Sequence, residues 1–497
     1  MSSRHTLTVL LLFIVFQIAG FSQQTDKPNI VFFFVDDMGW QDTSVPFYKE
    51  VTKLNREYYT PNMEILASEG MKFTQAYAAA VCSPSRVSLI TGMNPARHRV
   101  TNWTLRKGKS PDPEHPIVTS PNWNLNGLSA NPNEELAVYH ITLPELLKKE
   151  GYKTIHVGKA HFGADQTSGE DPLNLGFDVN IAGHAAGAPG SYYSEKHFSS
   201  TWRKGDKIWD VPGLEKYYDQ NIFLTEALTL EANQEIENAV KEGKPFYLYM
   251  SHYAVHAPWE KDPRYYQKFI DQGLDKFQAA YASMLEGMDK SLGDIMTQLK
   301  KLGIDDKTIV VFMSDNGSPS QTPPNLPLRG HKIDPYEGGI RVPMIVKWPG
   351  VVAEKSETND YVIIEDIFPT FLEMAGAKKP EKKSEDGKSF VSILEGKKTN
   401  SERPLFWHFP NTYDVPPYSI IRKGDWKLIY QHVDQTFELY KIPNDISETQ
   451  NLISQNQKKA KELAKKLGRY LKKTQAQMPS INATGESVPY PDEVEIK

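Results

Sequence analysis

Three runs of the chain are apolar almost without interruption and stop abruptly on polar residues: 30–35 (IVFFFV) before Asp36 and Asp37, 246–250 (FYLYM) before Ser251 and His252, and 308–313 (TIVVFM) before Ser314, Asp315 and Asn316. Their length and their Val, Ile and Phe content predict strands of a parallel sheet covered on both faces, where neither side meets water and alternation is lost. Segments with helical spacing lie between and around them: 142–150, with Thr142 as its N-cap, 224–241 and 279–302. Strand alternating with helix predicts an open α/β sheet. Ligands of such sheets bind beyond the carboxyl ends of the strands, which is where each run places its acids, its histidine or its amide.

The pattern changes after a lysine- and glutamate-rich stretch at 378–388. Beyond it, 426–430 and 436–440 read as strands around a polar turn. Residues 458–473 read as an amphipathic helix with Leu463, Leu467 and Leu471 on one face and its lysines on the solvated one. The expected division is therefore a catalytic α/β domain over 23–377 and a smaller α+β domain with an antiparallel sheet over 378–497. Loops at 111–133 and 318–327, rich in Pro, Asn and Ser, fit surface loops near a site.

Charge and composition narrow the partners. The formal net charge of −5 gives no basic surplus for nucleic acid, so a polyanionic substrate must be held by local cation clusters. Residues 1–22 carry Arg4 and His5, then an apolar run over 7–18, then Gly20 and Ser22, the composition of a cleaved signal peptide. Export to the periplasm or the medium follows as the expectation. No later stretch reaches the roughly 20 apolar residues of a membrane span, so stable membrane insertion is not expected. Cys82 is the single cysteine and has no partner for an intrachain disulfide. Taken alone it reads as a buried, inert thiol.

Two constellations carry candidate chemistry. Asp36 and Asp37 end one apolar run, and Asp315 and Asn316 end another. Alone, the Asp pair reads equally as a solvated turn or a helix cap. The four together offer only hard oxygen donors, which suits Ca²⁺ or Mg²⁺ and not zinc. In the second constellation Arg86 follows Cys82 by four residues, one helical turn along on the same face if a helix begins there, with a planar fork able to hold an anionic oxygen.

The segment Cys82-Ser83-Pro84-Ser85-Arg86, continuing to Thr91-Gly92, resembles the signature of the type I sulfatase family. Further segments match in the family's order: Gly158-Lys159-Ala160-His161, Tyr253 to Pro258, and Leu328 to Lys332 leading into Glu337-Gly338-Gly339-Ile340-Arg341-Val342-Pro343. The resemblance implies an alkaline-phosphatase-like core: a large mixed sheet sandwiched by helices. It implies that a formylglycine-generating enzyme converts Cys82 to Cα-formylglycine, whose hydrate is the nucleophile, with Ca²⁺ held by Asp36, Asp37, Asp315, Asn316 and the modified Cys82. By carry-over, Arg86 supports the hydrate or a sulfate oxygen, Lys159 and Lys332 bind sulfate oxygens, His161 contacts the hydrate, and His256 protonates the leaving oxygen.

The implied substrate is a sulfated carbohydrate, with algal ulvan or galactan favoured. Trp103, His184, Trp259, His331 and His408 are the candidate sugar contacts, since Trp faces pack on sugar rings while His reads hydroxyls. The competing readings are a phosphatase or phosphonate monoester hydrolase of the same superfamily, and a secreted glycan-binding protein without catalysis.

Overall fold

The computed structural model describes residues 27–378, 386–397 and 402–496. The expected signal peptide and most of the 378–388 connection lie outside the described residues.

The three apolar runs form the centre of a nine-stranded sheet. Asn29–Val35 pairs in parallel with Thr308–Ser314 on one side and Phe246–Ser251 on the other, and Lys153–Gly158 and Val179–Ile181 extend the second side. On the first side Arg341–Lys347 runs antiparallel between Thr308–Ser314 and Met71–Tyr77, which makes the sheet mixed. Ser356–Thr358 and Val362–Ile363 complete that edge.

Period-two geometry divides each central strand between two cores. Ile30, Phe32 and Phe34 face one layer, with Val87, Ile90, Leu147 and Phe371 from the helices Cys82–Thr91, Leu143–Lys149 and Ile367–Met374. Val31, Phe33 and Val35 face the other, with Leu66, Leu228 and Leu285 from Pro61–Ser68, Leu224–Lys241 and Lys276–Lys301. Both faces are sealed, as continuous apolar runs require.

Helix boundaries follow their caps. Thr142 closes a capping box with Glu145 at the start of Leu143–Lys149. The long helix begins at Lys276, three residues before the pattern of apolar positions shows it, because the Asp275 carboxylate accepts from the amides of Phe277 and Gln278.

The four antiparallel strands of the C-terminal part, Pro404–Phe409, Tyr418–Lys423, Trp426–Gln431 and Thr436–Lys441, form a sheet with two buried faces. Ile421, Leu428 and Leu439 pack on Leu463, Leu467 and Leu471 of the helix Gln457–Thr474. Trp407, Ile420, Ile429 and Tyr440 join the first core of the large sheet, as do Phe390, Ile393 and Leu394. The small sheet is thus clamped against the catalytic core, and its connecting loops reach the site.

Candidate active site

Strand register places the chemistry. Val35 pairs with Ser314, while Phe34 and Gly158 both pair with Ser251, so the next residues, Asp36, Asp315 and Lys159, emerge together at one edge. Backbone bonds continue past the strand ends: Asp315 N donates to Val35 O at 3.1 Å, Lys159 N to Ser251 O at 2.7 Å, and Val255 N to Asp36 O at 2.7 Å. Asp37 has a positive φ of 61°, which turns the chain sharply away from the strand.

Asp36, Asp37 and Asp315 place carboxylate oxygens within 4.8 Å of one another, all buried. Three cations face them. Lys159 Nζ lies 2.5 Å from Asp36 Oδ2, Lys332 Nζ lies 2.5 Å from Asp37 Oδ1, and the Arg86 guanidinium grips Asp315 Oδ2 through Nε at 3.1 Å and Nη2 at 2.8 Å. Asn316 Nδ2 donates to Asp37 Oδ1 at 2.7 Å. Two buried oxygens, Asp36 Oδ1 and Asn316 Oδ1, have no hydrogen-bond partner. A buried acceptor without a donor is costly, and a hard divalent cation would satisfy both. The residues therefore fit a Ca²⁺ or Mg²⁺ site.

The environments pull the two adjacent acids apart. Burial and the Asp315 charge push the Asp36 carboxyl well above the usual range. Burial also works to raise Asp37, but Lys332, His256 and Lys159 outweigh it and hold its carboxyl below the usual range.

Cys82 opens the ten-residue helix Cys82–Thr91, whose residues are all buried and whose N-terminus carries no side-chain cap. Its side chain lines a cavity of about 600 Å³ together with Asp37, His161, His256 and Lys332. Burial pushes the Cys82 thiol up, against the lowering charges of Lys159 and Lys332, so the unmodified thiol is a poor nucleophile here. Lys332 is brought in by a loop, pinned by Lys332 N donating to Ser318 O at 2.8 Å and by Ile333 N donating to Ala80 O at 3.0 Å.

The two histidines are fixed differently. His161 Nε2 donates to Thr104 O at 2.7 Å, which leaves the buried Nδ1 without a partner and available as an acceptor. Its ring lies over Gly187, where a Cβ would come within 2.3 Å of Cε1. His256 Nδ1 donates to Ala257 O at 2.8 Å, and Nε2 points toward Asp37 Oδ2 at 3.6 Å. Burial lowers His256 to about 4, with Asp37 opposing and Lys332 and Lys159 assisting, so the imidazole is neutral near pH 7.

Several expected contacts land elsewhere. Trp103, Trp259 and His331 line the cavity. His184 and His408 do not. His184 packs beside Tyr253, and its carbonyl accepts from His161 N at 3.2 Å. His408 is enclosed by the C-terminal part, bonded to Ser419 Oγ at 2.8 Å and Gln477 O at 2.9 Å. Arg86 also differs from its expected direct contact: it is fully buried beneath the cavity, and its Nη1 is spent on Lys159 O and Ser251 Oγ. It positions the acid cluster and the lysine backbone.

The sequence pattern gave no sign of Trp209, Gln321, Asp334, Tyr413 and Asp414, which also line the cavity. Tyr413 and Asp414 arrive from the C-terminal part, and Tyr413 packs edge-on against Trp103 with ring centroids 5.8 Å apart.

The mixed sheet with its edge of acids and lysines defines a hydrolase of the alkaline-phosphatase-like fold. The sulfatase family model matches residues 28–377, and a model for the C-terminal region of N-sulphoglucosamine sulphohydrolase matches 332–477. The chain belongs to the sulfatase family and is a sulfuric ester hydrolase. It is 31% identical to a sulfatase of Formosa agariphila, over 95% of this chain and 93% of that one. It is 32% identical to N-acetylgalactosamine-6-sulfatase of Mus musculus, over 78% of this chain and 69% of the other. Among solved structures it is similar to Ps i-CgsB bound to k-i-k-neocarrahexaose, with TM-score 0.74 and 26% identity over 90% of this chain and 93% of that one. Among the described residues no helix is long and apolar enough to cross a membrane.

Proposed function

We propose that this chain removes a sulfate group from a galacto-configured carbohydrate, using Cα-formylglycine formed from Cys82 and Ca²⁺ held by Asp36, Asp37, Asp315 and Asn316. The observation that carries this reading is the arrangement at and beneath the cavity floor: Cys82 at a helix N-terminus and Lys332 lining the cavity, with fully buried Lys159 paired to Asp36 and two buried oxygens left without donors. The relatives support the sugar class, since one acts on N-acetylgalactosamine 6-sulfate and another binds a carrageenan hexasaccharide. The leading residues support export, and the pentapeptide from Cys82 to Arg86 supports recognition by a formylglycine-generating enzyme.

Asp36, Asp37, Asp315 and Asn316 would hold Ca²⁺, which would supply positive charge to the sulfate oxygens and lower the pKa of a neighbouring hydroxyl. Formylglycine at position 82 would supply, as its hydrate, a hydroxyl to attack sulfur and a second hydroxyl whose deprotonation would release sulfate. The chain's own groups do the rest. Lys159 and Lys332 bind sulfate oxygens, where charge spreads in the transition state. His161, with Nδ1 free, accepts a hydrogen bond from the nucleophilic side chain and holds it in line. His256 Nε2 faces the cavity and protonates the leaving sugar oxygen; the arriving ester's negative charge acts with Asp37 to raise its pKa toward the working range. Arg86 holds Asp315 and the Lys159 backbone in register.

The test compares nitrophenyl sulfate, phosphate and phosphonate on metal-replete protein, with peptide mass spectrometry across Cys82. Sulfate should be preferred, Cys82→Ala should be inactive, and the modified peptide should be about 18 Da lighter than the cysteine form, a change distinct from the ordinary oxidation products. A clear preference for phosphorus would replace this reading with the phosphonate hydrolase one.

A further inference from the structure

The charges of the catalytic cavity are divided between its floor and its outer wall. Among the described residues lining it, Lys332 is the single lysine or arginine, and its Nζ is paired with Asp37. The outer wall offers Trp103, Trp209, Trp259 and Tyr413 as ring platforms, with His331, Gln321, Asp334 and Asp414 as its polar groups. Of these, the carboxylates are anchored in different ways. Asp334 Oδ2 accepts from His331 N at 2.8 Å. Asp414 is exposed, held at a positive φ of 56°, and next to Tyr413 on the wall formed by the C-terminal part.

A sugar placed with its sulfate on the floor therefore meets aromatic faces and carboxylate acceptors. Acceptors suit hydroxyl and N-acetyl N–H donors. A second sulfate or a uronic carboxylate on the same ring would instead be desolvated beside fixed negative charge, with no lysine or arginine fork on this wall to receive it. Like charges set side by side, with no lysine or arginine among the described residues lining this wall to relieve them, select against the bearer of the second anion.

We infer that the cavity selects a neutral sugar carrying one sulfate, with Asp414 reading a ring hydroxyl or N-acetyl group and excluding a second anionic substituent on that ring. This deepens the proposed function and rests on it. Within the sulfated algal glycans it favours a galactan unit with one sulfate over a sulfated uronic acid. The specificity comes from repulsion at the wall as much as from attraction at the floor.

The experiment measures kcat/KM of the mature, metal-replete enzyme on nitrophenyl sulfate, on galactose and N-acetylgalactosamine monosulfates, and on the same sugars bearing a second sulfate. The monosulfate turned over fastest should lose at least about tenfold in kcat/KM when the second sulfate is added, the size of one unfavourable charge contact. In Asp414→Lys that ratio should shrink by about tenfold or reverse, and Asp414→Asn should shift it part of the way. Thermal denaturation and far-UV circular dichroism report whether each variant is folded. A wild-type enzyme that hydrolyses the disulfated sugar equally well overturns the inference. So does an unchanged ratio in a folded Asp414→Lys variant. Failure of the underlying reading looks different: no sulfate is released from any ester, nitrophenyl sulfate included, and the inference then falls with it.

Discussion

At the scale of single residues, the site balances three buried carboxylates against Arg86, Lys159 and Lys332. Lys332 is the clearest case, with Nζ on Asp37 Oδ1 and a place in the cavity wall. Lys332→Ala is expected to lower kcat by roughly 10² to 10³-fold, the usual effect of deleting one donor to a developing oxyanion. Steady-state kinetics on nitrophenyl sulfate check it. Gly187 makes a subtler prediction: a Cβ there would lie 2.3 Å from His161 Cε1. Gly187→Ala should displace the imidazole and cut kcat/KM by about tenfold or more, the scale of a misplaced catalytic group. The short motifs placed Cys82, Lys159 and Lys332 close to the acid cluster, where the structure has them. Residue type misled where it stood in for position. His408 has the chemistry of a sugar contact, but its two ring nitrogens are occupied by Ser419 and Gln477. Arg86 has a fork suited to sulfate, yet its neighbours Asp315 and Ser251 take it up first.

At the scale of elements, the buried strands announced themselves and the others did not. The run at 30–35 is covered on both faces and so reads as apolar throughout. Met71–Tyr77 and Lys153–Gly158 include partly exposed Lys72, Gln75 and Lys153 and buried polar residues such as Thr154 and His156, which blur the pattern. The polar side chains are satisfied tertiarily, as where Thr154 Oγ1 donates to Gly176 O at 2.9 Å, and no local signal records that. The Thr142 cap was legible because its chemistry is local, whereas the Asp275 cap lay outside the apolar periodicity that marked its helix. Thr142→Ala should cost about 0.5–2 kcal/mol by denaturant titration, toward the upper end because Thr142 Oγ1 also bonds Leu175 O at 2.6 Å. The cavity wall was the least legible element of all. Tyr413 and Asp414 meet Trp103 across some 300 residues of chain, and only the docking of the small sheet brings them together.

At the scale of the whole molecule, the junction between the large and small sheets contains a titratable switch of stability. Asn94 Nδ2 bonds both Glu365 Oε1 at 2.9 Å and Phe406 O at 2.8 Å, tying the two parts together. Burial, then the charge of Asp366, raises Glu365 to about 8. Between its unfolded value near 4.3 and that folded value, the native state holds a proton that the unfolded chain has lost. Stability is therefore fully supported below about pH 4 and declines as pH rises toward 8, by up to roughly 1.4 kcal/mol per pH unit from this group alone. Glu365→Gln should flatten that decline in melting temperatures measured across pH 5 to 8. Metal removal tests the other balance. Three buried carboxylates face Arg86, Lys159 and Lys332 with two oxygens unsatisfied, so chelation should lower the melting temperature and calcium should restore it. Saturation at a hundredfold excess over Kd is worth about 2.7 kcal/mol.

The helix Cys82–Thr91 has one more consequence. Cys82 is 3% exposed, and every residue of the helix that follows is packed beneath the sheet edge. If Cys82 is the formylglycine precursor proposed above, a modifying enzyme must reach a side chain that the native fold encloses at the start of a buried helix. On that reading conversion is expected before the core condenses, so the state of residue 82 would record the history of the chain before folding. Two molecules of identical sequence would then differ in whether they work, and folded, unmodified protein incubated with the modifying enzyme should show no mass change at Cys82 unless it is unfolded first.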